Sequence, residues 1–319
     1  MRVLLIGGAG FIGTNFTQYI FEQNPNDVVI NFSTTTSHSS RKNVALFANN
    51  PNYHHIEGRI EDAEALRNSF HNLVDVVVNF AAKTNVDQSN DHPTSVISNN
   101  ILGTQRVLEM AYECKVPRFV QISSVEVYGA IEMNQHVYEN STLTPINPYA
   151  VSKASSDLLA MSYVKRFGMD VIIARSTNNY GPYQATDKLI PRVITKALFE
   201  EKIPLFGDGT HMRDWMHVKD HCSALYKIMC HGTSNSIYNI SSNCIASTRE
   251  IIERILQLTN RPFSLMETVP GRVGDHNRYA PRTDKLRMEL LWKPKYDLDN
   301  GLSETVEWYR NNASIMVGR

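Results

Sequence analysis

The chain lacks an excess of either charge. Its 32 Lys+Arg balance 32 Asp+Glu, which argues against binding nucleic acid or a membrane surface through charge, although a local patch could hold a phosphate. Cysteine is scarce. Cys114, Cys222, Cys230 and Cys244 form no C-x-x-C pair and no His/Cys metal spacing. No metal site is expected, and the thiols are read as reduced, in a cytoplasmic protein. The first apolar run, 3–6, is too short for a signal segment and enters glycines directly. No run is long enough to span a bilayer. There is no internal repeat, and the one biased tract is the polar stretch 33–40. Two local absences matter more. No acid follows the second strand-like run, and Val125 stands between Ser124 and Glu126 where another acid would be useful.

What is present is a rhythm. Val- and Ile-rich runs at 3–6, 28–32, 74–80, 119–123 and 171–175 read as buried parallel strands. Helical patterns at 11–22, 61–70, 96–114 and 148–167 lie between them. This alternation predicts an α/β fold: a doubly wound Rossmann parallel sheet with a smaller C-terminal substrate-binding domain. After Arg175 the rhythm loosens, and Pro182, Pro191, Pro204, Pro262, Pro270 and Pro281 divide the second half into short pieces. The expected division is 1–176 with 210–242 for a dinucleotide, and 177–209 with 243–319 for a substrate.

GGAGFIG at 7–13 follows the first strand and opens the first helix. Gly7, Gly10 and Gly13 let backbone amides approach a pyrophosphate, with Phe11 and Ile12 at the helix start, whose partial positive charge favours an anion. At the end of the second strand a carboxylate would accept the ribose hydroxyls of NAD. Here Ser33 stands there, and Ser39, Ser40, Arg41 and Lys42 follow. Hydroxyls and a cation suit the extra phosphate of NADP, which is therefore the expected cofactor, with NAD otherwise. Arg59 is a further cation for the adenosine end.

Tyr149 is the one tyrosine followed by lysine four residues later. On a helix that spacing places Tyr149 and Lys153 on one face. Free tyrosine has a pKa of about 10, too high for a base at neutral pH, and a lysine cation beside it favours the phenolate. Ser123 and Ser124 end a strand at the carboxyl edge, where such sheets bind ligands, and can hydrogen-bond a reacting oxygen.

With these residues the chain resembles the extended short-chain dehydrogenase/reductases, and within them the nucleotide-sugar 4,6-dehydratases of the dTDP-glucose type. The resemblance runs nearly end to end. It is carried by GGAGFIG, AAKTNVD (81–87), NNILGT (99–104), SSVEVYG (123–129), PYAVSK (148–153), NNYGPYQATDKLIP (178–191), GDGTHMRDW (207–215) and GDHNRYA (274–280). It implies oxidation of sugar carbon 4, removal of the carbon-5 proton by a glutamate, loss of the carbon-6 hydroxyl with help from an aspartate, and return of hydride to carbon 6. Ser124 matches the family's threonine and Glu126 its glutamate, while Val125 replaces the aspartate. The family's NAD-binding acid aligns with Ser33.

The resemblance also places Ala81 and Ala82 at the cofactor. Lys83 stands where an acid or amide is usual and could supply a proton. Ser123, Asn179 and the backbone at Leu189 would touch substrate, Phe206 would stack on a pyrimidine, and Arg213, Arg272 and Arg278 would hold phosphate. A homodimer through the helices at 96–114 and 148–167 is implied. The substrate expected is a UDP- or dTDP-linked hexose or hexosamine, with UDP favoured; the chemistry lies at carbons 5 and 6, giving a 4-keto-6-deoxy sugar, a 5,6-unsaturated sugar or its isomer, or inversion at carbon 5, for surface-glycan sugars. A 4-epimerase is the rival enzyme, and a dinucleotide sensor without catalysis the rival of another class.

Overall fold

The computed structural model describes residues 1–70, 73–271, 277 and 279–312. The chain begins β1 (Arg2–Ile6), α1 (Phe11–Gln23), β2 (Val28–Ser33), α2 (His38–Ala45), β3 (Tyr53–Glu57) and α3 (Ala63–Ser69). It then returns to the sheet centre with β4 (Val76–Asn79) and runs through α4 (Val86–Asp91), α5 (Pro93–Ile97) and α6 (Gly103–Glu113) to β5 (Arg118–Ser124). A π-helical turn, Ser98–Leu102, joins α5 to α6. A 3-10 turn, Val125–Tyr128, follows β5. After it come α7 (Pro148–Phe167) and β6 (Val171–Ser176).

The second half contributes β7 (Asn178–Tyr180), α8 (Leu189–Leu198), β8 (Ile203–Phe206), β9 (Met212–His217), α9 (Val218–His231), β10 (Ile237–Ile240), β11 (Ile245–Ser247), α10 (Thr248–Leu258), β12 (Met266–Val269), α11 (Asp284–Leu290) and α12 (Leu298–Asn311). The main sheet has seven strands in the order β3-β2-β1-β4-β5-β6-β10, all paired parallel. The fold is therefore the doubly wound α/β sheet that the sequence predicts. The strand order reverses between β1 and β4, which opens a crevice at their carboxyl ends.

Alternate residues of each buried strand face opposite layers. Val3 and Leu5 pack with Phe16, Ile20, Leu225 and Ile228 from α1 and α9. Leu4 and Ile6 pack on the other face with Val107, Leu108 and Ala160 from α6 and α7. A third core, around Tyr180, Ile194, Ile203, Trp215, Ile251 and Leu302, holds the C-terminal elements. There β7, β9 and β11 form a small sheet, and β8 pairs with β12. Among the described residues no helix is long and apolar enough to cross a membrane.

Two elements are not visible as apolar runs. Strand β3 is Tyr-His-His-Ile-Glu, without the Val/Ile pattern. Helix α2 begins inside the polar stretch 33–40, where Ser37 and Ser40 form a reciprocal cap, and runs on past it.

Candidate active site

A cleft of about 1140 Å³ runs along the carboxyl edge of the sheet. At one end lie Gly7, Gly10, Phe11, Ile12 and Gly13. Gly7 has φ +81°, a region that only glycine adopts without strain. A Cβ on Gly7 would sit 2.9 Å from the Ala81 backbone, and one on Gly13 would sit 2.6 Å from that of Gly8. No side chain caps α1 at Gly10, and its first turn holds no acid. Its amides and its positive end are left for an anion, so the residues present fit the pyrophosphate of a dinucleotide. Asn43 fixes the loop by donating to the Ala9 carbonyl at 2.9 Å.

At the adenosine end, Ser33, Ser39, Ser40 and Arg59 line the cleft and Arg41 does not. The Arg41 guanidinium instead donates to the Thr35 and Thr36 carbonyls. Arg59 lies 3.5 Å from the Glu61 carboxylate. Glu57 faces Ser33 across the β2–β3 register and accepts from the Thr35 amide at 2.9 Å and hydroxyl at 2.7 Å. Burial, the largest single cause, raises this carboxyl, but the Thr35 bonds and His55 together outweigh it and hold it below its ordinary value. Glu57 itself does not line the cleft, and both its carboxylate oxygens are taken up by Thr35.

The residues expected to carry the redox chemistry meet in mid-cleft. Ser123, Ser124, Glu126, Tyr149 and Lys153 all line it. Asn147 starts α7, accepting from the Ala150 amide at 2.8 Å, while its own amide donates to Glu126 at 3.2 Å. The same cap therefore sets the helix carrying Tyr149 and restrains Glu126. Ser124 accepts from the Glu126 amide at 3.2 Å, which leaves its hydroxyl proton to donate into the cleft. Lys153 is buried, and its ammonium donates to the Ile122 carbonyl. Burial lowers its pKa to about 8, against the opposing pull of Asp157. Val125 does not line the cleft; it is 5% exposed and packs with Val127, Tyr128, Ile131, Val137 and Ala154.

At the far end, Asn179, Leu189, Phe206 and Arg213 line the cleft with Arg192. The Arg192 guanidinium lies 6.0 Å from the Phe206 ring centre. Ala81, Ala82 and Lys83 line the wall above β4, and the Lys83 ammonium is engaged with the Ser95 hydroxyl. Arg272 and Arg278 lie outside the described residues.

The GDP-mannose 4,6-dehydratase family matches residues 4–305. The chain belongs to that family. It is 38% identical to the low-salt glycan biosynthesis protein Agl12 of Haloferax volcanii, over 97% of this chain and 98% of the relative. Among solved structures it is similar to the dTDP-glucose 4,6-dehydratase DesIV of Streptomyces venezuelae, crystallised with NAD, at 37% identity and a TM-score of 0.94, over 98% of each chain. A UDP-glucose 4-epimerase of Thermotoga maritima shares the fold at 26% identity and a TM-score of 0.90, over 98% of this chain and all of that one. The protein is a nucleotide-sugar enzyme of the extended short-chain dehydrogenase type.

The expected preference for NADP finds no support in this family comparison, since the similar dehydratase structure holds NAD. The structure supplies a physical reason. Arg41 is turned away from the cleft, Arg59 faces Glu61, and Glu57 puts negative charge beside Ser33. Sequence reasoning also overlooked Asn147, Asn100 and Arg192. Asn147 was open to discovery, because Asn before Pro marks a helix start. Asn100, in the π-helical turn, pairs with both backbone groups of Lys83 and donates to Ser152 on α7. That clamp spans elements far apart in sequence and leaves no local signal.

Proposed function

We propose that this protein oxidises carbon 4 of a UDP- or dTDP-linked hexose or hexosamine and then acts at carbon 5 through Glu126. The observation that carries the proposal is the placement of Glu126 in the same cleft wall as Tyr149 and Lys153, held by the cap of the helix that bears them. When bound, the nicotinamide supplies a hydride acceptor and donor. Gly7, Gly10 and Gly13 would hold its pyrophosphate, and Lys153 its nearer ribose. The Tyr149 phenolate, favoured by the Lys153 cation, would take the proton of the carbon-4 hydroxyl and become the phenol, with Ser124 donating a hydrogen bond to the same oxygen. The ketone then acidifies the hydrogen on carbon 5, so that a carboxylate can remove it despite modest basicity. Glu126, in the same cleft, would take that proton.

Val125 carries no proton and faces an apolar cluster, so it gives a leaving hydroxyl on carbon 6 no assistance. Plain dehydration is accordingly slow relative to proton exchange, isomerisation or inversion at carbon 5. NAD is the cofactor, and the role is supply of sugars for glycans, as the name of the Haloferax relative supports. The expected test is product mass with and without Val125→Asp. The variant should yield more of a product lighter by one water. An equal yield of that product from both proteins would show that position 125 does not limit elimination. The second reading, a 4-epimerase, is favoured by Val125 and by the likeness to the Thermotoga epimerase. Epimerisation at carbon 4 needs no base at carbon 5, however, and leaves Glu126 without a task.

A homodimer is part of the proposal. On the stretch from α5 to α7, Ile97, Leu102, Tyr112, Val151, Leu158 and Phe167 are exposed apolar side chains, enough for one helical face to cover another. Val107 and Leu108 on α6 are not part of that face, being fully buried in the core of the sheet.

A further inference from the structure

Behind Lys153 the structure contains charges that the reaction as described does not use. Asp157 follows Lys153 by one turn of α7, on the same face, and both are buried, at 1% and 4% exposure. Arg175 on β6 approaches from the sheet, and its Nε donates to the Asp157 carboxylate at 2.8 Å. The β5–β6 register sets Arg175 beside Ser123. The other arm of Arg175 donates to the Tyr128 hydroxyl at 2.8 Å and the Glu139 carbonyl at 3.1 Å. Tyr128 in turn donates to Asn239 on β10 at 2.8 Å. The strand ends, the turn that carries Glu126 and the catalytic helix are thereby tied to one carboxylate.

A buried ion pair is poor evidence of added stability, because well-packed apolar residues commonly do as well. Its position suggests another role. We propose that Asp157, clamped by Arg175, is a positioning residue that keeps the buried Lys153 side chain charged beside Tyr149. This rests on the reading of Lys153 as the cation that assists Tyr149. The charged and titratable groups around Lys153 are Tyr149 and Asp157 on its own helix, Arg175 on β6, Glu126 and Tyr128 in the turn after β5, and Glu139 behind Asn239. Burial works against the ammonium and brings its pKa down to about 8; Asp157 pulls it the other way. Burial also raises the Asp157 carboxyl, and Arg175 opposes that rise most strongly, followed by the facing Ser123 hydroxyl and Lys153. The Asp157 carboxyl stands raised overall, Arg175 favours its ionised form, and Asp157 in turn favours the protonated form of Lys153.

The test is a lysine-selective carbon NMR titration of the full chain, with the Lys153 signal identified by its loss in Lys153→Met. In the native protein its midpoint should fall near 8, as above. In Asp157→Asn/Arg175→Met, which removes both charges of the pair together, it should fall by about one pH unit or more. Asp157→Asn alone should lower it further, since Arg175 then stands uncompensated, and Asp157→Glu should restore the native midpoint. The alkaline limb of the carbon-4 oxidation rate should move with the titration. An unchanged Lys153 midpoint in either neutralised variant, with native circular dichroism, would overturn the proposal. A midpoint that moves while no nucleotide sugar is turned over would leave the charge relay standing and sink the catalytic reading instead.

Discussion

Acidification should weaken the fold through two buried histidines. His217 ends β9 and His221 lies one turn into α9, at 1% and 0% exposure. Neither ring has a hydrogen-bond partner among the described residues. His217 stacks on Tyr296 at 4.1 Å and meets Tyr180 edge-on at 5.4 Å. Burial pushes His217 down to about 4, with Glu304 pulling it up and Lys219 pushing it further down. Burial alone pushes His221 to about 3. Unfolded histidine titrates near 6.5. As pH falls below that value the unfolded chain gains protons that the folded chain refuses. The stability from these groups is complete above pH ~6.5 and declines until pH reaches their folded values. By pH ~5 each ring has forfeited about 2 kcal/mol. His217→Phe keeps the ring stack and removes the titration. Urea midpoints at pH ~7.5 and pH ~5 should therefore converge in the variant relative to the native protein, by about 2 kcal/mol once multiplied by the m-value. Parallel pH curves for native and variant proteins would show that His217 titrates normally in the fold, and the reasoning from burial would be wrong.

Tyr149→Phe removes the proton acceptor alone, so it should lower kcat by at least about 100-fold while dinucleotide stays bound; near-native turnover would refute the assignment. Nucleotide extracted from the purified protein should be NAD, and recovery of NADP alone would show that the charges near Ser33 have been misjudged. Light scattering at micromolar concentration should give twice the chain mass, and a monomer would contradict the reading of the exposed face on α5 to α7.

The legible part of this protein was whatever repeats locally. Buried parallel strands announce themselves as unbroken apolar runs, and the glycines at 7–13 show a phosphate loop because no other residue suits Gly7. The Tyr149/Lys153 spacing survives translation into a helix unchanged. What sequence alone did not reveal depends on residues brought together from a distance. Strand β3 is polar because it is an edge strand of the sheet, so its pattern is weak. Glu57 lies beside Ser33 across a strand register, although a linear reading places it twenty-odd positions away. Asn100 and Arg175 act through partners on other elements, and the turning of Arg41 onto backbone carbonyls depends on the local path of the loop before α2.

The most direct measurement is turnover in deuterium oxide with a small panel of UDP- and dTDP-linked sugars, followed by proton and mass spectra of the product. The account predicts deuterium at carbon 5, carbon 6 or both, and its disappearance in Glu126→Gln. Inversion at carbon 4 with no solvent label anywhere on the ring would contradict it, and the protein would then be a 4-epimerase.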